Sequence, residues 1–218
     1  MRSIYKIVVC SLLTLSITSC EKDLLEKEQY QKEIYLIGAY NRVWTTEVSY
    51  SNEEVKTYFT VSSSGTLALD RDVNVKMKIN EELVDIYNKK YWTVLNEDKY
   101  YKSLDTDLYS IPSLENTVIK HAEGISAEVP VLIKTASLKI DQSYVIPVEI
   151  ESTTGYPISE SGYKMLILLK LKNDYSGSYQ MSGHTTLEGE TPKTIQKPKT
   201  IKPTGCLLYT SPSPRDRG

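Results

Sequence analysis

The 218-residue sequence holds one phenylalanine, two tryptophans, two histidines and three cysteines. The cysteines are Cys10, Cys20 and Cys206, so none falls between residues 21 and 205. That excludes a disulfide framework and a thiolate metal site from the body of the chain, whose stability must come from a hydrophobic core. His121 and His184 are the only histidines, and the nucleophile, base and orienting group of a hydrolase cannot be assigned among these residues. Carboxylates are plentiful, but a glycosidase needs two of them held about 5–9 Å apart. Spacing along a chain does not establish that, and the acids read as scattered surface charge. No catalytic residue, cofactor or metal is expected. A net charge of −2 leaves no bulk basic field for nucleic acid, which is not an expected partner. One cluster touches calcium chemistry. Asp70-Arg71-Asp72-Val73-Asn74 with Glu81 matches several ligand positions of a helix–loop–helix calcium loop. The glycine that such a loop needs at its sixth position is Val75, and a period-two apolar row through these residues would pull the carboxylates apart.

No apolar run is long enough to span a bilayer, which takes roughly 20 residues. The longest, Ile7 to Ile17, follows a start carrying Arg2 and Lys6. A basic start and a short apolar stretch form a secretory signal peptide. The stretch ends Ile17-Thr18-Ser19-Cys20 and resembles the bacterial lipobox, in which the peptidase closes on small residues and a thiol accepts lipid. Residues 1–19 are therefore expected to be removed, Cys20 to be lipidated, and the membrane to be a partner through that anchor. Glu21-Lys22-Asp23 resembles the export signal that sends Bacteroidota lipoproteins to the outer face of the outer membrane. Residues 20–32 read as a charged tether. At the other end, residues 206–216 read, in order, as the translation of a library-preparation adapter, so residues 206–218 are expected to be an artefact and the natural chain to continue past Gly205.

What is abundant is tyrosine, 17 residues, and alternation. Val55, Thr57, Phe59 and Val61 form a period-two row, as do Val73, Val75, Met77 and Ile79. So do Ala127, Val129, Val131 and Ile133, then Tyr144, Ile146, Val148 and Ile150, then Met165, Ile167, Leu169 and Leu171. Such rows indicate half-buried strands. Pro130 and Pro147 lie inside two of them, which predicts edge or bulged strands there. Asn80 to Asn88 differs. A capping Asn, first-turn acids and apolar Leu83, Ile86 and Tyr87 at helical spacing predict a short helix across one end of a sandwich. The expected fold is mainly β: an immunoglobulin-like antiparallel sandwich over residues 33–173 with one short helix. Residues 174–205 read as the truncated start of a second β-domain, opened by a lone strand with no partner to cover its face.

Tyr91, Trp92, Tyr100, Tyr101 and Tyr109 crowd the stretch after that helix, with Asn88, Asn96 and Asp98 among them. Sugars present apolar CH faces that stack on such rings while polar neighbours bond the hydroxyls. An aromatic loop on a rigid scaffold is a common form of binding site. Tyr91, Trp92, Tyr100 and Tyr101 are the candidate glycan contacts. The competing reading is that these rings fasten the helix to the sandwich and that Trp44 belongs to the core.

Several features occur together in a fixed order. They are a turn at Ser64-Gly65, the row Val73–Ile79 leading into Leu83…Tyr87-Asn88, then Tyr100-Tyr101…Leu104, Val118-Ile119 with Glu123-Gly124, the row Val129–Ile133, and Asp141-Gln142-Ser143-Tyr144-Val145-Ile146-Pro147-Val148. From Ile34 to Lys172 this order resembles the domain of unknown function found near the N terminus of Bacteroidota surface lipoproteins. Members usually carry Leu-Pro where this chain has Leu104-Asp105. Tyr175-Ser176-Gly177-Ser178-Tyr179 resembles the start of the second domain that often follows. Some relatives carry a family-18 glycoside hydrolase or lectin-like modules further on. The resemblance implies a non-catalytic surface module encoded with glycan-uptake systems, and polysaccharide as a partner. The expected function is an accessory, glycan-binding outer-membrane lipoprotein module. Its alternatives are a structural or adhesive stalk presenting a C-terminal module, and the N-terminal part of a glycoside hydrolase.

Overall fold

The computed structural model of the chain describes residues 27–92, 94–173, 175–186, 191, 193–203 and 209–210. Residues 1–19, expected to form a signal peptide, Cys20, and all of the 206–218 stretch but residues 209 and 210 lie outside the described residues. Thirteen strands are described. β1 (Ile34–Leu36), β3 (Glu54–Ser63), β8 (Ser126–Lys134) and β6 (Tyr109–Ser110) make one sheet in the order β1-β3-β8-β6. β2 (Val43–Ser49), β10 (Lys164–Lys172), β9 (Tyr144–Thr153), β4 (Val73–Ile79) and β7 (Thr117–Ile119) make the second in that order, and β5 (Lys102–Ser103) also pairs with β9. The period-two rows face each other between these sheets. Phe59, Val61, Val129, Val131 and Ile133 come from one, and Val75, Met77, Ile146, Val148, Met165 and Ile167 from the other; all are buried in one cluster. The mainly β sandwich with one helix is thus as expected. The wholly antiparallel pattern is not, because β2 runs parallel to β10 and β5 parallel to β9.

The two strand prolines separate. Pro130 pairs with Tyr58 of β3, and β6 reaches only Leu132 and Ile133 on the other side of β8. The missing N–H therefore lies along an open stretch, as an edge-strand proline requires. Pro147 corrects the expectation of an edge, since β9 is interior, between β10 and β4. Its carbonyl accepts the Asn80 N–H at 3.1 Å. On that side β4 ends at Ile79 and β5 resumes only opposite Tyr144 and Val145, so the proline faces a gap in the ladder and no hydrogen bond is lost. β9 is bulged, but at Glu151: Lys76 lies opposite Ser152 and Met77 opposite Ile150.

The helix, α1 (Glu82–Tyr91), starts where expected. The Asn80 side chain accepts the Glu82 N–H at 3.2 Å, the bond expected of a capping Asn. Its position corrects the expectation: α1 lies over the outer face of the second sheet, not across an end. β9 and β10 are apolar on both faces, and Val145 and Leu166, which point away from the main core, pack under Leu83 and Val84 of α1. A strand buried on both sides reads as a continuous apolar run, as Tyr144–Val148 and Met165–Leu169 do. After the tyrosines, Leu104 is buried, and Asp105 takes φ −57°. That is within the range a proline ring fixes, so the turn keeps the shape the family's Leu-Pro would give.

Beyond the sandwich, β11 (Gly177–Thr185) is not a lone strand. The Lys/Thr/Pro-rich stretch after it supplies β12 (Lys193–Pro203), antiparallel to β11 over nine paired positions. The third strand, β13 (Tyr209–Thr210), pairs with the end of β12. From Ser178 to Thr185 every β11 side chain is exposed. Among the described residues no helix is long and apolar enough to cross a membrane.

Candidate functional site

α1 carries two faces. Leu83 and Val84 face the sheet, and Tyr87 and Tyr91 follow one and two turns after Leu83. Tyr87 is the centre of a ring stack. Its centroid lies 4.4 Å from Tyr91, and 5.2 Å from Tyr101 with the rings within 10° of parallel. Tyr101 is fixed from behind. Buried Asn88 donates from its side-chain nitrogen to the Tyr101 carbonyl at 2.8 Å and accepts the Tyr101 N–H at 2.9 Å. Burial first, then the neighbouring Tyr101 hydroxyl, push the Tyr87 phenol up to about 12, so it stays neutral at physiological pH.

Beside this stack, α1 and the start of β10 enclose a cleft. Leu83 and Leu166 form its floor, Tyr87 and Tyr91 one wall, and Arg42, Lys90 and Lys164 its remaining polar lining. It encloses about 50 Å³, well short of the roughly 300–1,000 Å³ of an engulfing small-molecule pocket. Tyr91 is 48% exposed and Ile86 54%. The site is a shallow platform of ring faces, suited to something laid across it.

The candidate contacts are placed unequally. Tyr91 lines the cleft and Tyr101 backs it through Tyr87. Trp92 and Tyr100 are not among the lining residues. The Trp92 ring is partly buried beneath Lys99, whose Nζ is 5.6 Å from the ring centroid, and its Nε1–H meets no acceptor among the described residues. Tyr100 donates its N–H to Glu97 and accepts the Gln142 side chain on its carbonyl. Tyr109 joins the main core from β6, opposite Ile133, and burial pushes its phenol up to about 12. Trp44 is not core: it is 39% exposed and packs over Gly38, whose missing side chain leaves room for the ring, since a Cβ there would come within 2.5 Å of it. Sequence reasoning missed Tyr87 as a site residue, although its i,i+4 spacing to Tyr91 was visible. It also missed Arg42, Lys90 and Lys164, which only the tertiary fold brings together.

A second hollow, of about 400 Å³, lies between the stretch 28–32 and the turns holding Asp70 and Tyr156. It is larger, but its charges answer one another. Glu28 accepts the Thr66 N–H at 2.5 Å and pairs with Lys32. Asp70 is gripped by the Arg71 guanidinium and by the Tyr156 hydroxyl, which together hold its carboxyl well below the usual range. Asp72 turns instead to His121. The calcium pattern is thereby taken apart, and among the described residues no three acids and histidines gather as a metal site would require. The aromatic cleft is the better candidate.

A family model described as an N-terminal domain matches residues 30–157, more than half of the chain. The chain belongs to this family. A second model, described as a C-terminal domain, matches residues 163–206. Among solved structures, a protein of unknown function from Bacteroides ovatus superposes with a TM-score of 0.59 at 19% identity, covering 81% of this chain and 59% of that one. A multidomain protein from Bacteroides ovatus that includes DUF1735 gives 0.53 at 20% identity, over 76% and 54%. An auxiliary nutrient binding protein from Bacteroides thetaiotaomicron gives 0.54 at 16% identity, over 77% and 59%. At these identities the likeness is one of fold, and the chain spans somewhat over half the length of these neighbours. No curated protein matches it. The resemblance drawn from the order of turns and strands is borne out: family membership and Bacteroides neighbours both agree with it.

Proposed function

We propose that this chain is an accessory glycan-binding module, anchored by lipid on Cys20 and displayed on the outer face of the outer membrane. The observation that carries the binding role is the Tyr91–Tyr87–Tyr101 stack. Three rings, one of them half exposed, are held in place by helix packing and the Asn88 bonds, beside an open platform. Rings fixed before binding lose little conformational freedom when a sugar settles on them. The nutrient-binding role of one fold neighbour is consistent with this reading. Tyr91→Ala is expected to abolish retention in affinity electrophoresis on the retained polysaccharide, while the melting temperature shifts by no more than a degree or two, because an exposed side chain contributes little to stability. Retention unchanged by the substitution would remove the cleft from the binding role. Absence of retention on any polysaccharide would leave the stalk reading.

The anchor has its own support in the order of basic start, short apolar stretch and Ile17-Thr18-Ser19-Cys20. Cys20→Ser should release the protein from the membrane fraction and stop incorporation of labelled palmitate in the native host. The unsubstituted protein should be cleaved by protease added to intact cells. Protection of that protein from protease would overturn surface display.

A further inference from the structure

We propose that the cleft beside α1 selects acidic glycans, those bearing carboxylate or sulfate groups, over neutral ones. The inference rests on the glycan-binding reading above and specifies the ligand class of that same site. Three cations reach the cleft from three separate segments: Arg42 from the turn before β2, Lys90 from the last turn of α1, and Lys164 from the first position of β10. No carboxylate lines it. The Tyr87 phenol, which burial pushes up to about 12, stays neutral and does not counter the cations. None of the three cations forms a salt bridge among the described residues, whereas Lys76, Lys78, Lys120, Lys170 and Lys172 each pair with a glutamate. Lys90 and Lys164 instead sit over tyrosine rings, 5.3 Å from the Tyr91 centroid and 4.8 Å from that of Tyr163.

The backbone that holds Arg42 is unusual. It is the single non-glycine residue with positive φ, at 63°, among the described residues, a conformation that other L-residues seldom adopt. It is kept there from both sides: its N–H donates to the Ala39 carbonyl at 2.8 Å and its carbonyl accepts the Leu166 N–H at 2.8 Å. Strain of this kind persists where the surroundings over-determine it, often at a ligand clamp. In a chain whose net charge is −2, three unpaired cations around two tyrosine faces form a local field of the wrong sign for the whole. The rings would stack on a sugar's CH face while the cations meet its acid group, with the charge contribution weakened by salt.

The test is affinity electrophoresis of the full chain on polygalacturonate, chondroitin sulfate and dextran sulfate, with neutral dextran and galactan alongside. At least one acidic polymer should be retained about tenfold more tightly than the neutral ones. Tyr91→Ala should abolish that retention, and Lys90→Gln and Lys164→Gln should each weaken it about threefold, as expected for partly exposed charges. Polygalacturonate and dextran sulfate separate carboxylate from sulfate as the group recognised. Neutral polymers retained as well as acidic ones would overturn the charge selection and leave the glycan reading standing. No polymer retained would overturn both. Acidic polymers held by Tyr91→Ala as tightly as by the unsubstituted chain would show unspecific charge attraction away from the cleft, and would also overturn the proposal.

Discussion

Replacing Phe59 with alanine is expected to cost about 3–5 kcal/mol, the range for emptying a large ring from a packed core. Phe59 is the one phenylalanine of the sequence and is 2% exposed. It sits in β3 opposite Val129 of β8, on the face that meets the second sheet. Because no disulfide can form in the body of the chain, nothing covalent offsets the loss. A domain of this size has about 5–15 kcal/mol in total, so the substitution removes a large share of it. Urea unfolding should show a lower midpoint with an unchanged slope. Phe59→Leu, which keeps much of the volume, should lose about 1.5 kcal/mol or less. A loss under about 1 kcal/mol for the alanine variant would mean that the sheets close over the gap, and that the ring is not the wedge its burial suggests.

How much of this was legible follows from which faces the residues serve. A strand with one buried face writes a period of two into the sequence, and β3, β4 and β8 could be read directly from theirs. β9 and β10 are buried on both faces. Their second apolar rows, Val145 and Leu166 among them, lay hidden between the first, so the surface on which α1 rests was not visible and the helix was expected at an end. Pro147 misled for a related reason. A proline is barred from an interior strand only where its nitrogen would face a continuous neighbour, and here it faces the break between β4 and β5. β12 went unread because Lys and Pro dominated its composition, although Thr194, Ile195, Thr200 and Ile201 are good strand formers.

At the site, the aromatic cluster was legible as a composition but not as a geometry. Tyr91 and Tyr101 reach the same stack through Tyr87. Trp92 and Tyr100, immediate chain neighbours of those two, point elsewhere, because α1 ends at Tyr91 and the backbone of Trp92 is extended. Arg42, Lys90 and Lys164 are separated by about 50 to 75 positions, and no local pattern links them. Their convergence is produced by the parallel pairing of β2 with β10 and by α1 lying over β9 and β10.

Asn88→Ala should be the second most damaging substitution, and the one that couples stability to the site. Asn88 is 5% exposed and fills both hydrogen-bonding roles at Tyr101. Its removal strands an N–H and a carbonyl in a half-buried place. Each unsatisfied group costs about 1–3 kcal/mol, and water reaching the segment recovers part, so about 2–4 kcal/mol is expected. Asn88→Asp preserves the shape and the acceptor but turns a carboxylate oxygen toward the Tyr101 carbonyl, so it should not rescue. That pair of results would separate hydrogen bonding from lost volume. The Tyr101 amide should also lose protection from hydrogen exchange in Asn88→Ala, because the segment is then free to leave Tyr87. Glycan retention should fall with it, whereas Tyr91→Ala loses retention at unchanged stability. Full protection of the Tyr101 amide in Asn88→Ala, with an unaltered melting temperature, would show that the stack stands without its Asn88 bonds and that Tyr101 is held by ring packing alone.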